Sequence, residues 1–173
     1  MAASETMVRM GELAVSSVPG HVLVSLGLGS CIGLALLDRK MGIAGLAHIV
    51  LPQSQGHGVE KHSRKFADFA VPELVSELEA GGARKVRLEA VLVGGASMFA
   101  VSASSLEVGQ RNEASVREQL KQMRIPVKAT ATGGNKGRTI RVDVATSAVT
   151  YREAGGKDTE LLAGSRPMEA LAA

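Results

Sequence analysis

Three apolar runs of strand length follow one another with little between them: Val22 to Leu28, Cys31 to Leu37 and Ile43 to Val50. They are rich in Val, Ile and Leu and punctuated by Gly27, Gly29 and Gly42, which reads as three consecutive β-strands. Most of the chain's 20 glycines fall in such short clusters between apolar runs, the pattern of tight turns and close backbone approaches rather than of a linker. A compact, strand-rich fold is expected. An earlier strand around Met10 to Val15 is a further candidate.

Beyond these runs the period changes. From Lys61 to Glu79, Phe66, Phe69, Ala70, Leu74, Val75 and Leu78 recur at helical spacing, with Gly81 and Gly82 as the C-cap and Pro72 as a place for a kink. Val86 to Val93 reads as a strand that enters the core before Gly94 and Gly95. Asn112 is placed to cap a second helix over roughly Glu113 to Met123, which Pro126 terminates. Val127 to Thr132, Arg138 to Ala145 and Ala148 to Tyr151 are the last expected strands. Strands in meander order followed by mixed elements predict an α+β fold, with a largely antiparallel sheet and helices packed against it.

With 173 residues the chain suits one domain, residues 1–152, followed from 153 to 173 by Ala, Gly and charge without period, a loose tail. Aromatic residues are only 2%, too few for a base-stacking platform, and the net charge of +3 is spread along the chain. No nucleic-acid footprint results. Residues 1–10 hold no apolar leader core, and no stretch approaches the apolar length of a membrane span, so a cytoplasmic protein without membrane insertion is expected. The single cysteine excludes an intramolecular disulfide and a cysteine-based zinc site. The four His and the carboxylates show no metal-ligand spacing, and the clusters at Gly94-Gly95-Ala96 and Gly133 to Arg138 match neither a Walker A loop nor a dinucleotide fingerprint. Both clusters read as turns at strand ends, with Lys136 and Arg138 in a solvated turn.

The hairpin between the second and third strands carries the chemistry. If Arg39-Lys40 is a two-residue loop, Cys31 directly opposes His48; if Gly42 takes the left-handed position of a four-residue loop, the two are diagonal neighbours on one face. A three-residue loop puts them on opposite faces. A thiol beside an imidazole has a use: the ring takes the thiol proton, and the imidazolium stabilises the thiolate nucleophile. Such a pair attacks acyl carbons. The backbone amides of Gly29, Ser30 and Cys31 are candidate oxyanion donors, each typically worth ~3 kcal/mol. Ser25, on the preceding strand, is a candidate third member, its oxygen accepting from the distal N–H of His48. Taken singly, each residue has a plainer reading, since free cysteines and lone histidines are most often parts of a core. His57 and His62 lie in a polar stretch, read as a solvated loop that is also placed to cover the site.

Leu26-Gly27-Leu28-Gly29-Ser30-Cys31-Ile32-Gly33 followed by Gly45-Leu46-Ala47-His48-Ile49-Val50-Leu51-Pro52 resembles the CheD-type chemoreceptor glutamine deamidases of bacterial chemotaxis. Leu92 to Phe99, Gly109-Gln110-Arg111-Asn112 and Gly133 to Arg138 are similar to that family's later motifs in the same order, so the resemblance spans about residues 8 to 152. It implies conversion of receptor glutamines to glutamate without a cofactor, Cys31 acting as nucleophile, His48 as base and Ser25 as the hydroxyl that orients it. The family usually has Thr at the last position, and Phe66 and Thr132 are further departures. The implied fold is sandwich-like, similar to cysteine-dependent deamidating toxins. The implied partners are the cytoplasmic helices of methyl-accepting receptors and a CheC-type phosphatase. A regulatory binding module is the competing reading, and a protease, for which no peptide subsite is legible, a third.

Overall fold

The computed structural model describes residues 3–54, 63–98 and 103–165. In chain order the elements are β1 (Ser4–Met7), β2 (Leu13–Ser16), β3 (His21–Leu28), β4 (Ile32–Asp38), β5 (Ile43–Ile49), α1 (Ala67–Ala80), β6 (Glu89–Gly94), α2 (Ala103–Gln122), β7 (Val127–Thr132), β8 (Arg138–Asp143), β9 (Val149–Glu153) and β10 (Thr159–Leu162). Short 3-10 turns occupy Ser63–Lys65 and Lys85–Arg87.

Two five-stranded sheets result, one in the order β1-β3-β8-β9-β10 and the other β2-β5-β4-β6-β7. Most pairings are antiparallel, while β1 with β3 and β6 with β7 run parallel. The α+β class with a largely antiparallel sandwich is the one the apolar runs predict. One face of the second sheet packs on the helices through Ile32, Leu34, Leu36, Ile49, Leu74 and Leu78. Its other face packs on the first sheet, through Ala35, Leu37 and Leu46 against Leu23, Leu28 and Ile140. Covered on both sides, β4 and β5 are buried at every position, which is why their sequences are continuous apolar runs rather than alternating ones.

The far end of the β4–β5 hairpin is closed by Asp38, whose buried carboxylate accepts from Arg87 Nη2 at 2.8 Å and from the backbone N–H groups of Arg84 at 3.0 Å and Met41 at 3.3 Å. Burial pushes this carboxyl up, but the hydrogen bonds and the guanidinium charge outweigh it and hold the pKa below the usual value. Gly42 adopts φ +63° and the ladder pairs Asp38 with Ile43, so the loop is the four-residue alternative.

Several expectations are corrected. The segment Ser4–Met7 forms a strand without an apolar pattern, because it pairs in parallel with β3. The expected loose tail contains β10, which pairs with β9 through Thr159↔Tyr151. Pro72 lies inside a continuous α1, and Gly82, at φ +107°, supplies the left-handed turn at its end while Gly81 stays helical. Asn112 caps nothing, because α2 begins at Ala103 and runs on past it. That helix carries Gly109 because a Cβ there would stand 2.7 Å from Gly95 O and 2.8 Å from Ala96 O. His57 and His62 lie outside the described residues. Among those residues no helix is long and apolar enough to cross a membrane.

Candidate active site

The ladder Gly33↔His48 and Ile32↔Ile49 fixes the geometry of the candidate pair. Cys31, one residue before β4 begins, and His48 on β5 lie on the same sheet face, the one turned toward the other sheet, as diagonal neighbours. Gly33, opposite His48, has no room for a side chain, since a Cβ would meet Leu28 Cδ1 at 2.8 Å. No hydrogen bond joins the sulfur to the ring, and His48 Nε2 is buried without a partner among the described residues.

Among the described residues, the carbonyls of the loop that carries Cys31 are held from one side. The carbonyl of Gly29 accepts from Ala96 N–H at 2.8 Å, that of Ser30 from Asn112 Nδ2 at 2.9 Å, and that of Cys31 from Gly95 N–H at 2.9 Å. The amides of Gly29, Ser30 and Cys31 donate to no backbone carbonyl among the described residues. With all three carbonyls anchored to the β6–α2 side, the loop lies beside a cleft of about 360 Å³ lined by Gly27, Gly29, Ser30, Cys31 and Met98, its N–H groups taken by no carbonyl among the described residues and that of Cys31 set toward its own sulfur. An oxyanion site needs this polarity, because donors engaged by the protein are lost to the transition state.

Gly94 permits the close approach. At φ +119°, it would carry a Cβ 2.1 Å from the Cys31 carbonyl oxygen. Arg138 supports the same strand end, donating from Nη1 to the carbonyls of Gly133 at 2.7 Å and Gly94 at 3.3 Å and from Nη2 to Glu153 at 3.2 Å. It is buried, which corrects the expectation of a solvated turn.

His48 is held from the other side. Val8, buried just after β1, donates its N–H to Val24 O at 2.7 Å and offers its carbonyl to two side chains, His48 Nδ1 at 3.2 Å and Ser25 Oγ at 2.8 Å. Ser25 therefore makes no hydrogen bond with His48, contrary to the expected direct contact; both donate to one backbone oxygen. With Nδ1–H committed to that carbonyl, Nε2 carries the lone pair of the neutral ring. A bulge in β3 between Ser25 and Leu28 explains the arrangement: Gly27 takes φ +65°, Leu26 turns outward, and Ser25 stays fully buried. His48 lines a second cleft, of about 490 Å³, with Met7, Val8, Met10 and Leu26.

Burial pushes the Cys31 thiol above its ordinary 9.0, opposed in part by its own backbone N–H. It pushes His48 below its ordinary 6.5, against the Val8 hydrogen bond and the charge of Glu12. Both shifts favour a neutral thiol and a neutral imidazole at rest rather than the expected thiolate–imidazolium pair. Reading the residues in sequence missed Val8, which acts through its backbone, and misplaced Asn112 and Arg138. The ordered motifs at Gly109 to Asn112 and Gly133 to Arg138 were the only signal for those two.

A family model described as CheD chemotactic sensory transduction matches residues 50–153. A protein of Clostridium kluyveri named probable chemoreceptor glutamine deamidase CheD is 42% identical over 157 residues, covering 90% of this chain and 96% of its own. One of the same name from Clostridium botulinum strain Hall is 44% identical over 153 residues, covering 87% and 94%. Among solved structures, Neisseria meningitidis protein NMB0706 aligns at a TM-score of 0.47 and 11% identity, over 76% of this chain and 63% of that one. The ordered motifs, the family match and the near full-length relatives agree: this chain belongs to the CheD family.

Proposed function

We propose that this protein hydrolyses glutamine side-chain carboxamides on chemoreceptors to glutamate, releasing ammonia. The observation that carries this reading is the loop at Gly29 to Cys31, with its three carbonyls anchored, its three amides taken by no carbonyl among the described residues and a thiol lining a cleft. The names of the relatives, probable chemoreceptor glutamine deamidases, support the same substrate class.

The chemistry follows from the neutral pair. His48 Nε2 takes the Cys31 proton as the sulfur attacks the carboxamide carbon, so no free thiolate precedes attack. A sulfur–carbon bond forms, and the carbonyl oxygen becomes an oxyanion facing the backbone amides of Gly29, Ser30 and Cys31. His48 returns the proton to the nitrogen, the carbon–nitrogen bond breaks, and ammonia leaves a thioester. Water, deprotonated by His48, adds to the thioester; the sulfur departs and regains its proton, leaving glutamate. Ser25 acts at one remove, holding the Val8 carbonyl that fixes the ring.

Incubation with a helical receptor fragment is expected to add one dalton per modified glutamine and to release ammonia, and Cys31→Ala is expected to do neither. Tight binding without a mass change would instead favour a regulatory module acting on the receptor or on a CheC-type phosphatase. Cleaved receptor would point to a protease.

A further inference from the structure

The two halves of the site are tied to each other by one side chain. Asn112, fully buried partway along α2, donates both Nδ2 hydrogens: one to the Ser30 carbonyl and one to the Val50 carbonyl, each at 2.9 Å. Ser30 immediately precedes Cys31, and Val50 follows His48 by two residues. Continued by one step, the Ile32↔Ile49 register would set Cys31 against Val50, but the ladder stops at Ile32 and Ile49. The carboxamide of Asn112 serves the backbone where the ladder ends: it supplies donors to the carbonyls on either side and leaves the Cys31 N–H out of the sheet.

The helix is brought close enough for this by Gly109, one turn earlier, whose backbone lies against Gly95 and Ala96, the residues that hold the carbonyls of Cys31 and Gly29. Asn112 Oδ1, in contrast, is buried with no partner among the described residues. Leaving a buried acceptor unmet is costly, so the site uses Asn112 for its two donors.

We infer that Asn112 is a positioning residue that sets the nucleophile loop and the base strand at their working separation and keeps the loop amides turned free of the sheet. The inference rests on the reading of Cys31 and His48 as the reacting pair. It predicts that Asn112→Ala lowers kcat for ammonia release by about 10²-fold with KM little changed, the scale expected when reacting groups are misplaced by about 1 Å. Val116→Ala, one turn further along the same helix and equally buried, is the matched comparison, expected to lower Tm similarly and leave kcat intact. Asn112→Ser, which keeps one donor, is expected to fall between wild type and the alanine variant, and decides the matter if the alanine variant does not fold.

Cys31 is the sole cysteine, so its alkylation by iodoacetamide reads the loop independently of any deamidation. Loosening the loop exposes the thiol, and both Asn112 variants should react several-fold faster than wild type while Val116→Ala does not. Folded Asn112 variants with wild-type kcat and alkylation would overturn the inference, as would Val116→Ala losing kcat in proportion to its Tm. Faster alkylation in the Asn112 variants, with no ammonia released even by the wild type, would keep the positioning role and remove the deamidase reading.

Discussion

The two flanks of the site are built on different principles. The loop of the proposed nucleophile is fixed by three donors from buried, sequence-distant groups, the N–H groups of Gly95 and Ala96 and the side chain of Asn112. The ring of His48, the proposed base, is fixed among the described residues by one acceptor, the carbonyl of Val8, which follows the exposed edge strand Ser4–Met7. The difference matches the two tasks. In the proposed mechanism the nucleophile needs amides that no carbonyl has taken, which a loop held by its own carbonyls provides. The base needs one nitrogen occupied and one free, which a single carbonyl oxygen provides.

The largest effect is expected from the nucleophile flank. A Gly94→Ala Cβ would overlap the Cys31 carbonyl oxygen at a backbone angle that side chains rarely adopt. Nearly all ammonia release should disappear, with a lowered Tm by calorimetry. An active, stable Gly94→Ala protein would show that the carbonyl anchoring is dispensable. Next comes the base itself: His48→Ala should reduce kcat by about 10²- to 10⁴-fold, the usual weight of general-base catalysis. Because the resting pair is neutral, the same change should leave the alkylation rate of Cys31 at neutral pH little slowed. A marked slowing would restore the ion pair.

The pH profile sharpens the comparison further. His48 works as the neutral ring and its pKa is lowered, so kcat/KM should hold at pH 6.5 and fall only on the acid side of it. The same shifts act on stability. The unfolded chain takes up the His48 proton first as pH falls below 6.5, and releases the Cys31 proton first as pH rises above 9.0. The folded state therefore loses these contributions outside that window on both sides. Chemical denaturation of wild type and Cys31→Ala across pH 8 to 10 measures the alkaline side, and parallel curves would contradict it.

The smallest effect belongs to Ser25. Its hydroxyl touches Val8 O and not the ring, so Ser25→Ala should cost only a few-fold in kcat with folding retained, and Ser25→Thr less. A loss as large as that of His48→Ala would mean that the hydroxyl contacts His48 directly during turnover.

Much of this arrangement was legible in the residues. Val, Ile and Leu runs of strand length bounded by glycine leave few alternatives to β4, β5 and β6, because both faces of these strands are buried and the sequence must be apolar throughout. Two of the three loop lengths open to the β4–β5 hairpin place Cys31 and His48 on one face, since side chains alternate along a strand, and the four-residue loop with a left-handed Gly42 is the one adopted. The ordered motifs carried the family. Short, exposed edge strands leave no such pattern, so β1, paired in parallel with β3, and β10, paired antiparallel with β9, were not legible.

What only the tertiary structure decided is which backbone groups the site uses. A carbonyl has no letter in the sequence, so Val8 is indistinguishable there from any core valine until β1 is laid beside β3. Asn112 has the residue type of a helix cap, and only the docking of α2 through Gly109 turns its amide toward Ser30 and Val50. Burial, too, is a property of the assembled layers. It favours the neutral form of both members of the pair, because desolvation penalises both charges.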